Sequence, residues 1–329
     1  MAARRFVFTG KQEVFLEEFE LPVLKENEVL VKAHCSLMST GTENIVFNRL
    51  FEGGTGWEDW VKYPFHPGYL AVGEIEVVGG AVTTRAVGDR VAIRASHASH
   101  IIADSERTFP IPDALAYGEA VWFGLGKIAY MGAQVSHYHL GDSLLVVGAG
   151  PIGQMTVRWA AAAGLEHVVV IDPLESRLAL AVRGGATAAI NSSVDDCRDA
   201  VQDATGGKIP RIINDTTGNA AVFASVLGLA PDFGRIVVLG DTGLPSTQHL
   251  THDLLRKGLT IAGAHDMHNT ERWNDATITA FLFSLSVRGR FDLGGLTSHV
   301  FKPGEVVEAY RLANTRRGET MGIVFDWSN

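Results

Sequence analysis

Ser143-Leu-Leu-Val-Val-Gly-Ala-Gly-Pro-Ile-Gly153 is the stretch of the sequence that decides the fold. Its apolar run predicts a buried parallel strand, because strands covered on both faces need no polar alternation. The run ends in Gly148, Gly150 and Gly153, which have the G-x-G-x-x-G spacing. The first glycine allows a tight turn, the second lets the backbone approach a pyrophosphate, and the third lets a helix pack closely. Pro151 suits the start of that helix, where its missing N–H costs nothing.

A carboxylate follows the second apolar run. Residues 155–163 predict a helix, and His167-Val-Val-Val-Ile-Asp172 predicts the next strand. Asp172 lies nineteen residues after Gly153, where a carboxylate accepts hydrogen bonds from both hydroxyls of an adenine ribose. The same charge would repel the 2′-phosphate of NADP, so the sequence predicts NAD as the cofactor. Arg177, one helical turn into the next element, is predicted to lie along the adenine edge.

Strands and helices alternate through the following residues, which predicts an α/β fold with a doubly wound parallel Rossmann sheet. Apolar runs at residues 188–190, 211–215, 234–240 and 259–263 supply the later strands. We expect this dinucleotide-binding domain to span residues 116–267. The predicted cofactor-binding residues are Gly148, Gly150, Pro151, Ile152, Gly153, Asp172, Arg177, Thr216, Leu239 and Gly240.

The N-terminal part of the chain shows a different pattern, of short strands in place of alternating strands and helices. Residues 5–8, 13–16, 28–32, 72–78 and 90–93 look like short strands separated by turns, and residues 120–130 like a helix that leads to the dinucleotide fold. The C-terminal end returns to a strand–helix–strand pattern. We therefore expect a β-rich domain built from residues 1–115 and 268–329.

Composition excludes several classes of function. The chain has 329 residues, 46% of them hydrophobic and 20% charged, which is ordinary for a globular protein. A net charge of −9 without basic clusters argues against nucleic acid and anionic membranes as partners. Two cysteines exclude a disulfide framework and a four-cysteine zinc site. With neither a secretory core nor an apolar run of about 18 residues, we expect a cytoplasmic protein.

This order of elements resembles the medium-chain dehydrogenase/reductase superfamily, the alcohol dehydrogenase family, over essentially the whole chain. The motifs that carry the resemblance are Val87-Gly-Asp-Arg-Val91, Gly141-Asp142, Gly148-Ala-Gly-Pro-Ile-Gly153, Val238-Leu-Gly240 and Thr297-Ser-His-Val-Phe301. The resemblance implies a GroES-like catalytic domain beside the Rossmann domain. It also implies a nicotinamide-dependent oxidoreductase with a small-molecule substrate.

The chain departs from the zinc-containing members of that family. They place a cysteine before Gly-Thr-Asp, whereas Ser39-Thr-Gly-Thr-Glu43 here puts Thr40 at the ligand position. Their Gly-His-Glu corresponds to Gly68-Tyr-Leu70, and their cysteine-rich lobe is missing. The Ser-Thr-Gly-Thr-Glu string is similar to that of bacteriochlorophyllide dehydrogenases, a zinc-less branch. We therefore predict no metal site and a zinc-independent dehydrogenase.

Without zinc to polarise a carbonyl, hydrogen-bond donors must do so. The predicted catalytic residues are Tyr69, Glu119, Thr40 and His97, and the further candidates are Glu43, Lys127 and His100. Tyr69 replaces a zinc-ligating histidine of the family, so its phenol is the first candidate for the proton. The packing alternative is that its ring only fills the space left by zinc.

The predicted reaction interconverts a secondary alcohol, such as a sugar or cyclitol hydroxyl, and its ketone. Two alternatives stay open at this point. One is NAD(P)H-dependent reduction of a C=C bond or quinone, and the other is a non-catalytic dinucleotide-binding protein. We also expect a homodimer that pairs through residues 259–263, because that apolar strand would otherwise be an exposed sheet edge.

Overall fold

The computed structural model describes residues 2–328, so Met1 and Asn329, the outer limits of the predicted catalytic domain, lie outside the described residues. The strands are β1 Ala2–Gly10, β2 Glu13–Glu20, β3 Glu28–Met38, β4 Ala71–Val78, β5 Arg90–Ile93, β6 His100–Asp104, β7 Thr108–Pro110, β8 Ser143–Val147, β9 His167–Ile171, β10 Ala188–Ile190, β11 Ile212–Asp215, β12 Arg235–Val238, β13 Thr260–Gly263, β14 Thr297–Phe301 and β15 Gly322–Asp326. The α-helices are α1 Thr42–Asn48, α2 Gly56–Trp60, α3 Tyr117–Ala120, α4 Phe123–Ser136, α5 Pro151–Ala163, α6 Glu175–Arg183, α7 Arg198–Ala204, α8 Ala220–Leu229, α9 Asp253–Arg256, α10 Asp275–Val287 and α11 Val306–Thr315.

The chain divides into two compact units. The first runs to Gly124 and includes Arg272–Val287 and the chain from Leu293 onward. The second comprises Leu125–Glu271 and Arg288–Asp292. The domain boundaries predicted at 115/116 and 267/268 stay predictions.

The first unit is β-rich. Its main sheet has the order β14-β15-β3-β4-β5-β7, with β6 also paired to β3. All neighbours are antiparallel except β14 and β15, which run parallel. The hairpin β1–β2 joins it through isolated bridges from Arg5 to Ala98 and from Phe8 to Phe65. One apolar core lies inside this unit and takes in Phe6, Phe325 and Trp327. This is the expected GroES-like domain.

The second unit holds a parallel sheet in the order β10-β9-β8-β11-β12-β13. The order reverses between β8 and β11, which is the switch point where open α/β sheets bind ligands at the carboxyl ends of their strands. Leu144, Leu145, Val146 and Val147 of β8 are all buried, because the apolar clusters on both faces of the sheet cover this strand. The predicted α/β class, with a Rossmann sheet and a GroES-like domain, is confirmed.

The helix predicted at residues 120–130 is wrong in its extent. The chain forms the short α3 and then a separate α4, which continues to Ser136. Burial of Met131 and Gly132 carries α4 beyond the predicted end. The helix stops where His137 adopts a left-handed φ of 54°.

The helices are short. The long ones, α4, α5 and α10, contain 14, 13 and 13 residues. A bilayer-spanning helix needs about 20 apolar residues. Between residues 2 and 328, no helix combines the length and the apolar character that a membrane crossing requires.

Candidate active site

The glycine-rich turn joins β8 to α5. Gly148 has a left-handed φ of 92°, which favours glycine. Gly150 caps α5 and Pro151 occupies its first turn. A Cβ on Gly153 would lie 1.9 Å from the Gly148 carbonyl oxygen, so the helix packs against the turn only because the side chain is absent. The amides at this helix start face the position where a pyrophosphate binds in such folds.

Asp172 follows β9 and is 5% exposed. Its Oδ2 accepts a hydrogen bond from the Ala149 amide at 2.8 Å, and its Oδ1 accepts one from the Leu174 amide at 2.8 Å. These two bonds fix the carboxylate beside the glycine turn. A carboxylate oxygen has two lone pairs, so each can accept a second bond from a ribose hydroxyl.

Gln154 ties Arg177 to the turn. The Gln154 side-chain amide donates to the carbonyl oxygens of Ala149 and Arg177, both at 2.9 Å. A guanidinium nitrogen of Arg177 would lie 3.9 Å from a Cβ on Gly150. The predicted cofactor residues Asp172 and Arg177 therefore both lie at the glycine turn.

The ends of β11 and β12 meet this turn. The Thr216 hydroxyl donates to the carbonyl oxygens of Val147 and Gly148 at 2.9 and 3.0 Å. The amides of Leu239 and Gly240 both donate to the Asp215 carbonyl oxygen. The structure thus brings Thr216, Leu239 and Gly240 to the same edge of the sheet as the glycine turn. Ile152, in the first turn of α5, packs against Val237, Leu239 and Ala264.

A separate set of predicted residues lies in the first unit, around Tyr69. The Tyr69 hydroxyl donates to Ser39 Oγ at 2.7 Å. Gly68 has a left-handed φ of 90°, and a Cβ there would lie 2.6 Å from the His97 ring. The Arg94 guanidinium lies 5.7 Å from the centre of the Tyr69 ring and pairs with Asp275 at 2.9 Å.

We name the backbone at Gly68 and Tyr69 the Tyr69 corner. Beneath it lies a hydrogen-bonded group that we name the Glu43 cluster, which consists of Ser36, Ser39, Glu43, His97 and Tyr310. Glu43 Oε1 accepts from the Ser39 amide at 2.8 Å. Glu43 Oε2 contacts His97 Nε2 at 3.1 Å and accepts a bond from the Tyr310 hydroxyl. Burial, followed by the Glu43 charge, raises the pKa of Tyr310, which therefore stays a hydrogen-bond donor.

His97 is completely buried within the cluster. Its Nδ1 contacts Ser36 Oγ at 2.7 Å, and the same Oγ accepts from Trp327 Nε1 at 2.9 Å. With its proton on Nε2, His97 donates to the Glu43 carboxylate, which accepts hydrogen bonds. His97 therefore contacts core residues in this structure and presents no exposed surface.

The other predicted catalytic residues have different surroundings. Thr40 is 7% exposed in the loop before α1. Glu119 lies in α3, where its Oε2 accepts from the Ala116 amide at 3.4 Å. Lys127 belongs to the second unit, with its ammonium 3.1 Å from Asp266 Oδ1. His100 contacts the Ser99 hydroxyl and Glu76, and burial lowers its pKa.

The residues present do not fit a zinc ion. In the described part of the chain, no three histidine, cysteine or acidic side chains gather where they could hold one metal. Thr40 and Tyr69 stand at the positions that the family resemblance assigns to zinc ligands.

Several functional candidates carried no sequence signal. Tyr310 lies 267 positions from Glu43, and its place on α11 looks like an ordinary core position. Ser36 lies in β3, past the end of the strand predicted at residues 28–32, and Ser39 opens the Ser39-Thr-Gly-Thr-Glu43 string, but neither was predicted as a site residue. Asp215 is also buried, and burial raises its pKa while two bonds from Thr217 oppose the rise.

Two family models match the chain. The model described as "Alcohol dehydrogenase GroES-like domain" matches residues 25–117, and the model described as "Zinc-binding dehydrogenase" matches residues 151–282. The first falls within the β-rich unit and the second covers most of the dinucleotide-binding unit.

Individual proteins that are similar to the chain in sequence or in fold are also dehydrogenases. An L-threonine 3-dehydrogenase of Vibrio parahaemolyticus serotype O3:K6 is 25% identical over 96% of both chains. An oxidoreductase/dehydrogenase of unknown specificity from Escherichia coli has the same fold, with a TM-score of 0.85, 20% identity and 99% of both chains covered. An alcohol dehydrogenase from Escherichia coli CFT073, solved with the cofactor NADH, gives a TM-score of 0.83 at 21% identity over 99% of both chains.

The fold and the glycine turn define a nicotinamide-dinucleotide-dependent dehydrogenase, an enzyme whose cofactor carries the hydride. The chain belongs to the medium-chain dehydrogenase/reductase superfamily, as both family models and the curated relatives agree. The resemblance predicted from the sequence motifs is confirmed.

The packing of α5 against the turn gives a direct test. Replacing Gly153→Ala should cost about 1–3 kcal/mol of stability, the usual cost of overpacking, and should weaken NADH binding. Thermal unfolding and a fluorescence titration with NADH measure both effects. Gly228→Ala is the matched control. Gly228 lies within α8, and a Cβ there would meet only Asp253, at an ordinary contact distance of 3.9 Å. Equal NADH affinity in Gly153→Ala and the wild type would contradict the assignment of the turn.

Proposed function

We propose that the protein is a zinc-independent, NAD(H)-dependent oxidoreductase that interconverts a secondary alcohol and its ketone. The observation that carries the proposal is the Tyr69 hydroxyl, bonded to Ser39 Oγ at 2.7 Å, at a position where zinc-containing relatives have a ligand. A sugar or cyclitol hydroxyl is the proposed substrate class, since polar side chains dominate the candidates in the first unit.

In this proposal, Tyr69 handles the proton. A bound nicotinamide supplies or accepts the hydride. As a ketone is reduced, the Tyr69 phenol donates its proton to the developing alkoxide, and in the reverse direction it accepts that proton. Ser39 Oγ holds the phenol in place, and after the transfer its hydroxyl can rotate to donate a hydrogen bond to the Tyr69 phenolate, which regains its proton from solvent. The nearby Arg94 guanidinium stabilises negative charge on the ring during the transfer.

We further propose that Asp172 selects NAD. Its two backbone bonds hold a negative charge beside the glycine turn, where a ribose hydroxyl is an acceptable partner. A 2′-phosphate brought to the same place would meet like charge, and it offers no 2′-hydroxyl to donate a hydrogen bond to the carboxylate.

A homodimer and a cytoplasmic location complete the proposal. β13 is the terminal strand of the parallel sheet, and Ile261 and Ala262 in it are half-buried. An unpaired strand edge is a template for pairing with a second copy. The two cysteines are free thiols, which suits a reducing compartment. Light scattering at micromolar concentration should give twice the chain mass, and a monomer would contradict the dimer.

Metal content tests the zinc-independent part of the proposal. The purified protein should contain no stoichiometric zinc and should keep its turnover after incubation with a chelator, because its side chains at the family's ligand positions are Thr40 and Tyr69. Elemental analysis measures the first quantity and NADH absorbance the second. A panel of polyols, sugars, ketones and L-threonine identifies the assay substrate. About one zinc per chain would contradict the proposal.

Cofactor preference tests Asp172. The wild type should bind NADH far better than NADPH, and Asp172→Asn should narrow the gap by roughly 1–3 kcal/mol, the scale of a charge-assisted hydrogen bond. Titration calorimetry with each cofactor measures the gap. Asp203→Asn, an exposed change of the same charge on α7, should leave it unchanged. Equal affinity of the wild type for NADH and NADPH would contradict the proposed role of Asp172 in selecting NAD.

Turnover tests Tyr69. Replacing Tyr69→Phe deletes only the hydroxyl, so turnover should fall by roughly 10²-fold or more while NADH affinity stays the same. Steady-state assays with the best panel substrate and an NADH titration measure the two quantities. Wild-type turnover in this variant would eliminate Tyr69 as the proton donor and leave the packing interpretation of its ring.

A further inference from the structure

The Glu43 cluster holds a charged group in the core, at a cost that the structure must offset. Glu43 is 3% exposed, His97 is fully buried and Tyr310 is 2% exposed. Burying a carboxylate is expensive unless hydrogen bonds replace its water. Three donors do so here: the Ser39 amide, His97 Nε2 and the Tyr310 hydroxyl.

Ser36, His97 and Glu43 together match the order of a hydrolytic Ser–His–acid triad. The group cannot act as a hydrolytic triad, because Ser36 and His97 are completely buried and no substrate could reach the Ser36 hydroxyl. Ser36 Oγ is also occupied by the Trp327 indole N–H. The arrangement therefore serves neighbouring groups.

Those neighbours lead to Tyr69 by two routes. In the first route, Glu43 fixes the Ser39 backbone, and Ser39 Oγ accepts the Tyr69 hydroxyl. In the second route, the His97 ring lies directly under Gly68, and the His97 amide donates to the Pro67 carbonyl oxygen at 2.9 Å. Both the hydroxyl of Tyr69 and the backbone corner that carries it therefore rest on the cluster.

We propose that Glu43, His97 and Tyr310 are positioning residues that fix the Tyr69 hydroxyl for proton transfer. The proposal rests on the proposed catalytic role of Tyr69 and names the residues that make that role possible. Glu43 is the central member, since it receives bonds from the Ser39 loop, from the segment before β6 through His97, and from α11 through Tyr310.

The reason for a buried anchor is geometric. A general acid must lie within hydrogen-bond distance of the oxygen that it protonates, and a misplacement of about 1 Å can cost roughly 10²-fold in rate. A phenol held only by its ring can rock about its side-chain torsions. A carboxylate that is bonded to three separate segments of the chain prevents the Ser39 loop from moving together with the phenol.

The first experiment observes Tyr69 in the full chain without any substrate. Carbon-13 at the phenol carbon of all tyrosines gives a separate resonance for each ring, and Tyr69→Phe identifies the Tyr69 signal. Glu43→Gln places an amide N–H₂ against the donors of His97 or Tyr310, so the Tyr69 resonance should shift or broaden. Tyr310→Phe removes one of three bonds, so it should give a smaller change in the same direction.

Thr108→Val is the matched control. Thr108 is 1% exposed in the same unit, and its hydroxyl bonds Ser105 and Arg85 and no member of the Glu43 cluster. The Tyr69 resonance should stay at its wild-type position in this variant. An unmoved Tyr69 signal in folded Tyr310→Phe and Glu43→Gln overturns the proposal, and so does an equal shift in Thr108→Val.

A double-mutant cycle gives the second readout, with the best substrate of the panel. Glu43→Gln should lower kcat by roughly 10-fold or more with little change in KM, and it should have no further effect on kcat in the Tyr69→Phe background. Additive losses in the double variant would overturn positioning through Tyr69. Wild-type turnover in Tyr69→Phe alone would instead refute the proposed function, so the two failures are distinguishable.

Discussion

The hydrogen bonds to the buried Glu43 carboxylate are the constraint on which the β-rich unit depends. They join the loop before α1, the segment before β6 and helix α11 at one point. Because an uncompensated charge in the core costs several kcal/mol, these three segments hold their relative positions or the unit loses stability. The Tyr69 corner rests on that point through Ser39 and His97.

The second unit depends on a different constraint, the close approach of α5 to β8. Gly153 has no room for a side chain, and Gly148 needs a left-handed backbone. Asp172 and Thr216 then bond the same turn from the ends of β9 and β11. This unit builds its candidate cofactor site largely from backbone groups, whereas the β-rich unit builds its candidate catalytic group from side chains.

More of the second unit than of the β-rich unit could be predicted from the sequence, for a physical reason. The dinucleotide fold is encoded locally, by glycine spacing, apolar runs and one carboxylate after β9, so the fold could be predicted and candidate cofactor residues could be proposed from the sequence. The Glu43 cluster is tertiary: its members come from β3, the loop before α1, α1 itself, the segment before β6 and helix α11. His97 was a candidate from its residue type, but nothing in the sequence indicated that it is fully buried beneath Gly68.

We propose that a hydrogen-bonded core supports the reacting group at the place where zinc-containing members of the family use a metal. Anomalous diffraction from crystals of the NADH complex, recorded on both sides of the zinc absorption edge without added metal, tests it most directly. No anomalous peak is expected at Thr40 and Tyr69, and the Tyr69 hydroxyl should still be bonded to Ser39. A zinc peak liganded at that corner would contradict it.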